Sequence, residues 1–390
     1  MMSVSKYDFI LFENYHLASN HKYDVLLIAK LLKSVGCKVA ILDIYHEDAG
    51  ERIDGIEVLH LQNQMNIPND KWQKFPKSKI HSLFSLLRFL IVQHYYMKKV
   101  LKEIEPLADS FYCGSYHLGM SRVFFKSQKK CYYWGLRSSR MKNFWYHFKS
   151  NPILAFRMLM LKNAFMANSS HHLFVSNDII KKEFTELGIA ENRLIIREER
   201  CLEKEAFPDY DYLKCNFSIL TIGMLRKEKR IDFSISEFLS TNHDNWEFVL
   251  AGKSNAKYES IIANASSGHN NVIRINKFLE YEDFFNLIKQ AHFVVLADEK
   301  QQSCVTNGTM MEALINYRPI IAPDYEPYNY YVNKYSIGIL FNPQEKGDLA
   351  KAICKAEKLG CRYFYNKINS FLNLLKFENV ASNLKNQIDR

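Results

Sequence analysis

Long apolar runs, paired cysteines and repeats are what this chain lacks. The most apolar stretch, Leu83 to Val92, is ten residues long and is broken by Arg88, about half the length needed to cross a bilayer. The N-terminus offers only Phe9 to Phe12 ahead of Glu13, too little for the apolar core of a secretory signal. The eight cysteines (37, 113, 131, 201, 215, 304, 354 and 361) contain no C-x-x-C pair and join no Cys/His cluster. Neither a disulfide framework nor a zinc site is indicated, and a reducing cytosol suits them. No internal repeat or low-complexity tract is visible, and Asp209-Tyr210-Asp211, a D-x-D triplet, falls in a charged stretch with Pro208 rather than at a strand end. Metal is therefore not expected.

What is present is enough apolar material for two cores. The chain has 390 residues, 47% hydrophobic and 14% aromatic, which suits two domains of nearly equal size and excludes wholesale disorder. Its net charge of +10 is unevenly spread. From Lys71 to Lys162 there are eighteen lysines and arginines against three acids, whereas the remaining 298 residues carry 34 basic and 39 acidic side chains. A local positive field implies a local anionic partner.

The N-terminal half alternates strand and helix patterns. Tyr7 to Phe12 and Lys38 to Asp43 read as strands flanking a helical stretch from Lys22 to Val35, which Gly36 stops. Strand, helix and strand in this order make a βαβ unit and hence a parallel sheet. Further strands are expected at Ile56 to Leu61, Ser110 to Cys113, Lys130 to Trp134, His172 to Val175 and Arg193 to Arg197, with a long helix over Lys79 to Glu105 and another from Asn177 to Leu187. Glu198 to Asn216 is charged and aperiodic, and it reads as a linker. The second half alternates more cleanly. Strands are expected at Phe217–Ile222, Trp246–Ala251, Asn271–Ile275, Phe293–Leu296 and Ile320–Ala322, with helices near 231–240, 257–266, 281–291, 309–317 and 346–358. This is the pattern of a doubly wound sheet.

Two places in the second half carry chemistry. The strand ending in Gly223 is followed by Arg226, Lys227, Lys229 and Arg230, cations able to neutralise a diphosphate. A bare basic loop would be only an exposed connection. Some eighty residues on, Thr306-Asn307-Gly308-Thr309 opens a helix with Glu312 in its first turn, closed by Pro319. Exposed amides at a helix start accept an anion, and a carboxylate holds ribose hydroxyls. Thr309-x-x-Glu312 also reads as a capping box, in which the carboxylate serves only the helix end.

This order and spacing resemble the donor half of retaining GT-B glycosyltransferases of the glycosyl transferases group 1 type. The resemblance covers Phe217 to Asp348 well and the first half only by architecture. It implies an α/β protein of two Rossmann-like, doubly wound domains facing a cleft: an acceptor-side domain over 1–200, a linker over 201–216 and a donor-binding domain over 217–360. The C-terminal helices, 361–390, are expected to return to the N-domain. It further implies metal-independent transfer of a hexose from a nucleoside diphosphate sugar, with no other cofactor. In the front-face mechanism that goes with retention, the departing phosphate helps deprotonate the acceptor.

Residue by residue, Lys229 matches the family lysine and Glu312 the second family glutamate, which contacts the ribose. Gly223, Asn307, Gly308 and Thr309 fall on the phosphate side of the donor site. The sequence departs from the pattern at Met224, where the arginine stands, at Arg230, where a glycine stands, and at Cys304, where the first glutamate contacts the donor sugar. The arginine role is assigned to Arg226, and Cys304 is expected to line the sugar pocket. The family's glycine-rich first loop is missing; Asn14 to Lys22 replaces it, with Asn20 or His21 as substitutes. His117, just after an N-domain strand, is the candidate near the reacting sugar, although a lone histidine is more often structural.

The basic, aromatic-rich stretch from Lys71 to Lys162 has three readings. Solvated helix faces are the plainest. Nucleic acid would suit the charge, but no RRM, KH or helix-turn-helix pattern accompanies it. An anionic membrane suits Leu83, Leu86, Leu87, Leu90 and Ile91 beside Lys98, Lys99 and Lys102, and is preferred. The expected function is hexosyl transfer to a glycan or lipid-linked acceptor in bacterial-type surface polysaccharide biosynthesis, in the cytoplasm or on the inner face of the membrane. The alternatives are a sugar-nucleotide epimerase on the same fold and a catalytically weak nucleotide- or membrane-binding subunit.

Overall fold

The structure is a computed structural model that describes residues 6–13, 21–43, 52–60, 95, 98–113, 127–134, 163, 165–197, 200–203, 213–300 and 307–389. The chain divides into two compact units, Met1–Glu198 with Phe377–Arg390, and Glu199–Lys376.

In the first unit the apolar runs of the sequence become β1 (Tyr7–Glu13), β2 (Val39–Asp43), β4 (Ile56–His60), β5 (Ala108–Cys113), β6 (Lys130–Trp134), β7 (His171–Val175) and β8 (Leu194–Ile196). A two-residue β3 (Arg52–Ile53) pairs antiparallel with β4, and every other pairing in the sheet is parallel. The order is β3-β4-β2-β1-β5-β6-β7-β8. Strands covered on both faces read as continuous apolar runs, and Ile10, Leu11 and Phe12 are fully buried. The βαβ reading of the N-terminus holds, with α1 (His21–Ser34) between β1 and β2. Helix α2 (Asp178–Glu186) starts where Asn177 accepts a hydrogen bond from the Ile180 amide at 2.9 Å.

The second unit contains β9 (Ser218–Ile222), β10 (Glu247–Ala251), β11 (Val272–Ile275), β12 (Phe293–Val295), β13 (Ile320–Pro323) and β14 (Gly338–Phe341). All are parallel, in the order β11-β10-β9-β12-β13-β14. This is the doubly wound order in which the chain reverses direction between its first and fourth strands, here β9 and β12. Ligands of such sheets bind outside the strand C-termini at that reversal. Around the sheet lie α3 (Ile231–Leu239), α4 (Ala256–Ser266), α5 (Tyr281–Gln290), α6 (Gly308–Ile315), α7 (Tyr328–Tyr335), α8 (Asp348–Leu359) and α9 (Tyr365–Leu374). The sequence pattern had shown neither β14 nor α7.

The C-terminal helices separate. Ile368, Phe371, Leu372 and Leu375 of the α9 region sit in the core of the second unit, so 361–374 does not return to the first as expected. Only α10 (Phe377–Ile388) belongs to the first unit. It packs on α1 and β8, burying Val380, Ala381 and Leu384. The Gln387 side chain donates to the Ile196 carbonyl (2.9 Å) and accepts from its amide (2.8 Å). That satisfies backbone groups of β8, the strand at the edge of the sheet. Where the chain passes into and out of the second unit, Leu202 pairs with Lys376, and the Leu202 amide donates to the Leu375 carbonyl at 2.8 Å. Part of the expected linker is thus an ordered element of the second unit.

Candidate functional site

At the reversal point of the second sheet, two glycines bring two strand ends into contact. Gly223 follows β9 at φ +96°, and Gly252 follows β10 at φ +133°. A Cβ on Gly252 would lie 1.8 Å from the Gly223 carbonyl oxygen, so only glycine fits there. The turn is pinned by backbone hydrogen bonds from Gly223 to Ala251 and from Leu225 to Lys253, both 3.0 Å. From β11, the Arg274 guanidinium donates to the carbonyls of Leu250 (2.9 Å) and Gly252 (2.8 Å) and grips both oxygens of Glu259 at 3.0 and 2.7 Å. A planar bidentate fork of this kind fixes geometry as well as charge.

The basic turn treats its cations differently. Arg226 and Lys227 are exposed. Lys229 is not the exposed loop lysine its neighbours suggest: its side chain folds inward, and Nζ donates to the Ile222 carbonyl at 2.8 Å. A Cβ placed on Gly223 would meet Lys229 Nζ at 3.5 Å and Thr309 Oγ1 at 3.8 Å. Gly223, Lys229 and Thr309 therefore border one small space. Burial pushes the Lys229 pKa down from its ordinary value; the Asp298 carboxylate works against that shift, and Arg226 adds to it. Arg226 Nε lies 3.1 Å from Met224 Sδ, so its side chain reaches back over residue 224.

Arg230 departs from the family glycine and still adopts the conformation glycine favours, φ 48° and ψ 49°. A left-handed backbone costs a non-glycine residue roughly 1–2 kcal/mol. Stacking of the guanidinium over Phe233, 4.1 Å from the ring centroid, and a 3.4 Å hydrogen bond to the Pro343 carbonyl offset part of that.

The other half of the site is the start of α6. Its cap is Asn307, whose Oδ1 accepts from the Met310 amide at 3.1 Å. The helix begins at Gly308, within the Thr306 to Thr309 opening expected from sequence, but no acidic residue lies in its first turn. The Thr309/Glu312 capping box does not form, and Glu312 sits in the second turn. Nor does Pro319 close the helix, which ends at Ile315; Pro319 stands just before β13. The first-turn amides, Gly308 and Thr309 among them, have no partner within the helix.

Glu312 is 19% exposed, and its Oε1 is 2.8 Å from Arg200, a residue of the segment that leads into this unit. Burial raises the Glu312 pKa, and Arg200 lowers it in part. Asp298, three residues past β12, is 5% exposed. Its Oδ2 accepts from the Tyr328 hydroxyl (2.5 Å) and from Asn307 Nδ2 (3.2 Å), while Asn307 Nδ2 also reaches the Tyr328 hydroxyl at 2.8 Å. Burial and the Asp298 charge push the Tyr328 pKa up, which keeps its hydroxyl a donor.

Of the residues expected from sequence, Gly223, Arg226 and Lys229 lie in the turn after β9 and Asn307, Gly308, Thr309 and Glu312 at the start of α6, and the structure brings Gly223, Lys229 and Thr309 to one space. His117, Cys304 and Thr306 lie outside the described residues, as do Asn20, Asp209 to Asp211 and most of Lys71 to Lys162. Within that last stretch Lys98, Lys99 and Lys102 are exposed, while Val100, Leu101 and Ile104 are buried. Among the described residues no group of three His, Cys, Asp or Glu side chains could hold a metal ion, and no helix is long and apolar enough to cross a membrane. Sequence reasoning missed Arg200, Asp298, Tyr328 and Arg274. Only Asp298 carried a signal: an acid directly after an apolar strand.

Two parallel-sheet units with a pinned glycine turn and a helix start at the reversal point are the GT-B arrangement. Residues 216–358 match the family model described as glycosyl transferases group 1, and the second unit belongs to that family. Among solved structures, the chain is similar to sucrose-phosphate synthase from Thermosynechococcus elongatus, with TM-score 0.65, 13% identity and 98% of each chain covered. It is also similar to the lipopolysaccharide outer core galactosyltransferase WaaB in its apo form (TM-score 0.62, 14% identity, 98% of each chain). A third similar structure is Anabaena HepE in complex with UDP and glucose, at TM-score 0.59 and 12% identity, covering 98% of this chain and 99% of that one. No curated protein matches the chain by sequence.

Proposed function

We propose that this protein transfers a hexose, with retention, from a nucleoside diphosphate sugar to a glycan or lipid-linked acceptor in surface polysaccharide assembly. The observation that carries the reading is the convergence of Gly223, Lys229 and Thr309 on one space at the reversal point of a group 1 domain. A diphosphate placed there meets the Lys229 ammonium and the first-turn amides of α6 at once. Gly223, lacking a side chain, lets it approach the backbone. Charge growing on the departing diphosphate is stabilised by Lys229, fixed before the reaction starts, and by Arg226 on the exposed side of the same turn. Glu312 accepts hydrogen bonds from the ribose hydroxyls, with Arg200 balancing its charge. His117 serves the reacting sugar, and the leaving phosphate takes the acceptor proton.

The test is turnover of UDP-, GDP- and ADP-sugars with and without EDTA, with the anomeric configuration of the product read by NMR. Transfer that survives EDTA and keeps the donor configuration is expected; a protein that neither binds nor turns over any sugar nucleotide overturns the proposal. A lipid-linked acceptor fits the exposed lysines at 98, 99 and 102. Vesicles containing anionic lipid should bind the protein at low salt and release it as salt screens the charges over about 8 Å at physiological ionic strength. Charge reversal at the three lysines should weaken that binding. Binding to RNA without affinity for vesicles would point to nucleic acid instead.

A further inference from the structure

Family members carry a glutamate for the donor sugar where this chain has Cys304, yet the site does not lack an acid. We propose that Asp298 is the acidic hydroxyl acceptor for the donor's sugar, held in place through Oδ2 and presenting Oδ1. The proposal rests on the reading of the second unit as a sugar-nucleotide site.

Three observations carry it. First, Asp298 is a carboxylate only 5% exposed, placed past the C-terminal end of β12 on one side of the reversal point. Burying a carboxylate is costly without compensating partners. Second, both of its described hydrogen bonds go to one oxygen. Tyr328 and Asn307 donate to Oδ2, and no described residue donates to Oδ1. A carboxylate accepts on both oxygens, so the clamp orients the group and leaves acceptor capacity unused. Third, the clamp is built from the site itself. Asn307 caps the helix whose Thr309 borders the Gly223–Lys229 space, and Lys229 feels the Asp298 charge. The sugar of a nucleoside diphosphate sugar is bonded to the terminal phosphate. A phosphate on Lys229 and the start of α6 therefore leaves the sugar as the next group along, near the acid those same elements hold. A carboxylate hydrogen-bonded to hydroxyls holds a polyol more firmly than a neutral acceptor does, and it gives those bonds direction. Tyr328 and Asn307 are then positioning residues.

The rival account is that Asp298 only braces the start of α6. Calorimetry on the full chain separates the two, using UDP, GDP and ADP beside UDP-glucose, UDP-galactose, GDP-mannose and ADP-glucose. The quantity read is the ratio of sugar-nucleotide affinity to the affinity for the matching nucleoside diphosphate. Asp298→Asn should cut that ratio at least tenfold while nucleoside diphosphate affinity stays within about threefold. Tyr328→Phe removes one donor to Oδ2 but keeps the carboxylate and its Asn307 donor, so its ratio should fall, by less than that of Asp298→Asn. If Asp298→Asn does not fold, Asp298→Ser is read in the same way. A ratio that falls less than tenfold without the Asp298 carboxylate overturns the proposal, as does a loss in Tyr328→Phe as large as that in Asp298→Asn. A wild-type protein that binds no nucleoside diphosphate sinks the donor-site reading and takes this proposal with it. One that binds nucleoside diphosphates, while sugar nucleotides bind no differently from them, sinks this proposal alone.

Discussion

The turn after β9 and the start of α6 border the same space but are held there by different means. The turn is fixed by backbone. Two glycines touch, the Leu225 amide pairs with Lys253, and Lys229 is tied to the carbonyl of Ile222, seven residues before it. The helix start is fixed by side chains: its cap Asn307 is held by Asp298 and Tyr328, which also bond each other. A backbone-held cation can be removed without dismantling its support. A side-chain network cannot lose a member without leaving buried polar groups unpaired.

That contrast is open to attack, most sharply at Lys229. Lys229→Ala should lower kcat/KM roughly 100- to 1,000-fold, the usual loss on removing a fixed group that stabilises developing charge. Its stability should fall by only about 1 kcal/mol, the net worth of one hydrogen bond, as read by denaturant titration. Because burial lowers the Lys229 pKa, nucleoside diphosphate affinity should decline with rising pH from below the ordinary 10.5, a limb that Lys229→Ala should lack. Wild-type turnover in this variant would remove the turn from the site.

The Glu312 carboxylate sharpens the comparison from the other side. Glu312→Gln should weaken nucleoside diphosphate binding by about 1–3 kcal/mol with little change in melting temperature, since Asn307 and not Glu312 caps the helix. Glu312 has a pKa raised above 4.5, so it gains its proton as pH falls through that raised value, and wild-type affinity should fall with it. Arg200→Ala should move this acid limb to higher pH, because Arg200 is the charge that holds the pKa down. Glu312→Gln should abolish it.

Asn307→Ala is the reverse case. It removes a helix cap, worth about 0.5–2 kcal/mol, together with one donor to the buried Asp298 carboxylate. Thermal stability and nucleotide affinity should therefore fall together, and a variant that loses affinity alone would break the distinction between the two halves. The smallest effect is expected at Arg230→Gly. Glycine relieves the left-handed backbone but forfeits the stacking on Phe233, terms of about 1 kcal/mol each and opposite in sign. Chemical denaturation should show a change within about 1 kcal/mol.

How far the sequence disclosed this site follows the same division. Gly223 and Thr309 belong to local signals, a strand end and a helix start, which periodicity and turn chemistry display, whereas Lys229 stands out from its basic neighbours through the family resemblance. Arg200 pairs with Glu312 and Asp298 with Tyr328 across 30 or more positions, and a single sequence does not display such pairings. Helix α7 escaped because Tyr328, Tyr331, Val332 and Tyr335 recur at helical spacing through tyrosines, which are amphipathic and weaken an apolar pattern. Strand β14 is four residues, Gly338–Phe341, too short for alternation to show. The α9 stripe was visible as a stripe, but an apolar face does not say which core it joins. The structure assigned it to the second unit.

Because Leu202 lies beside Lys376, the second unit is a complete segment inserted between β8 and the last helix of the first. A ribosome therefore finishes the sugar-nucleotide unit before it makes α10. Until that helix emerges, the nascent first unit has the α1 surface uncovered and the Ile196 backbone unpaired by Gln387. The part of the protein that is synthesised first is the last to be finished, and a chain that stops at Lys376 would hold a whole second unit and an incomplete first.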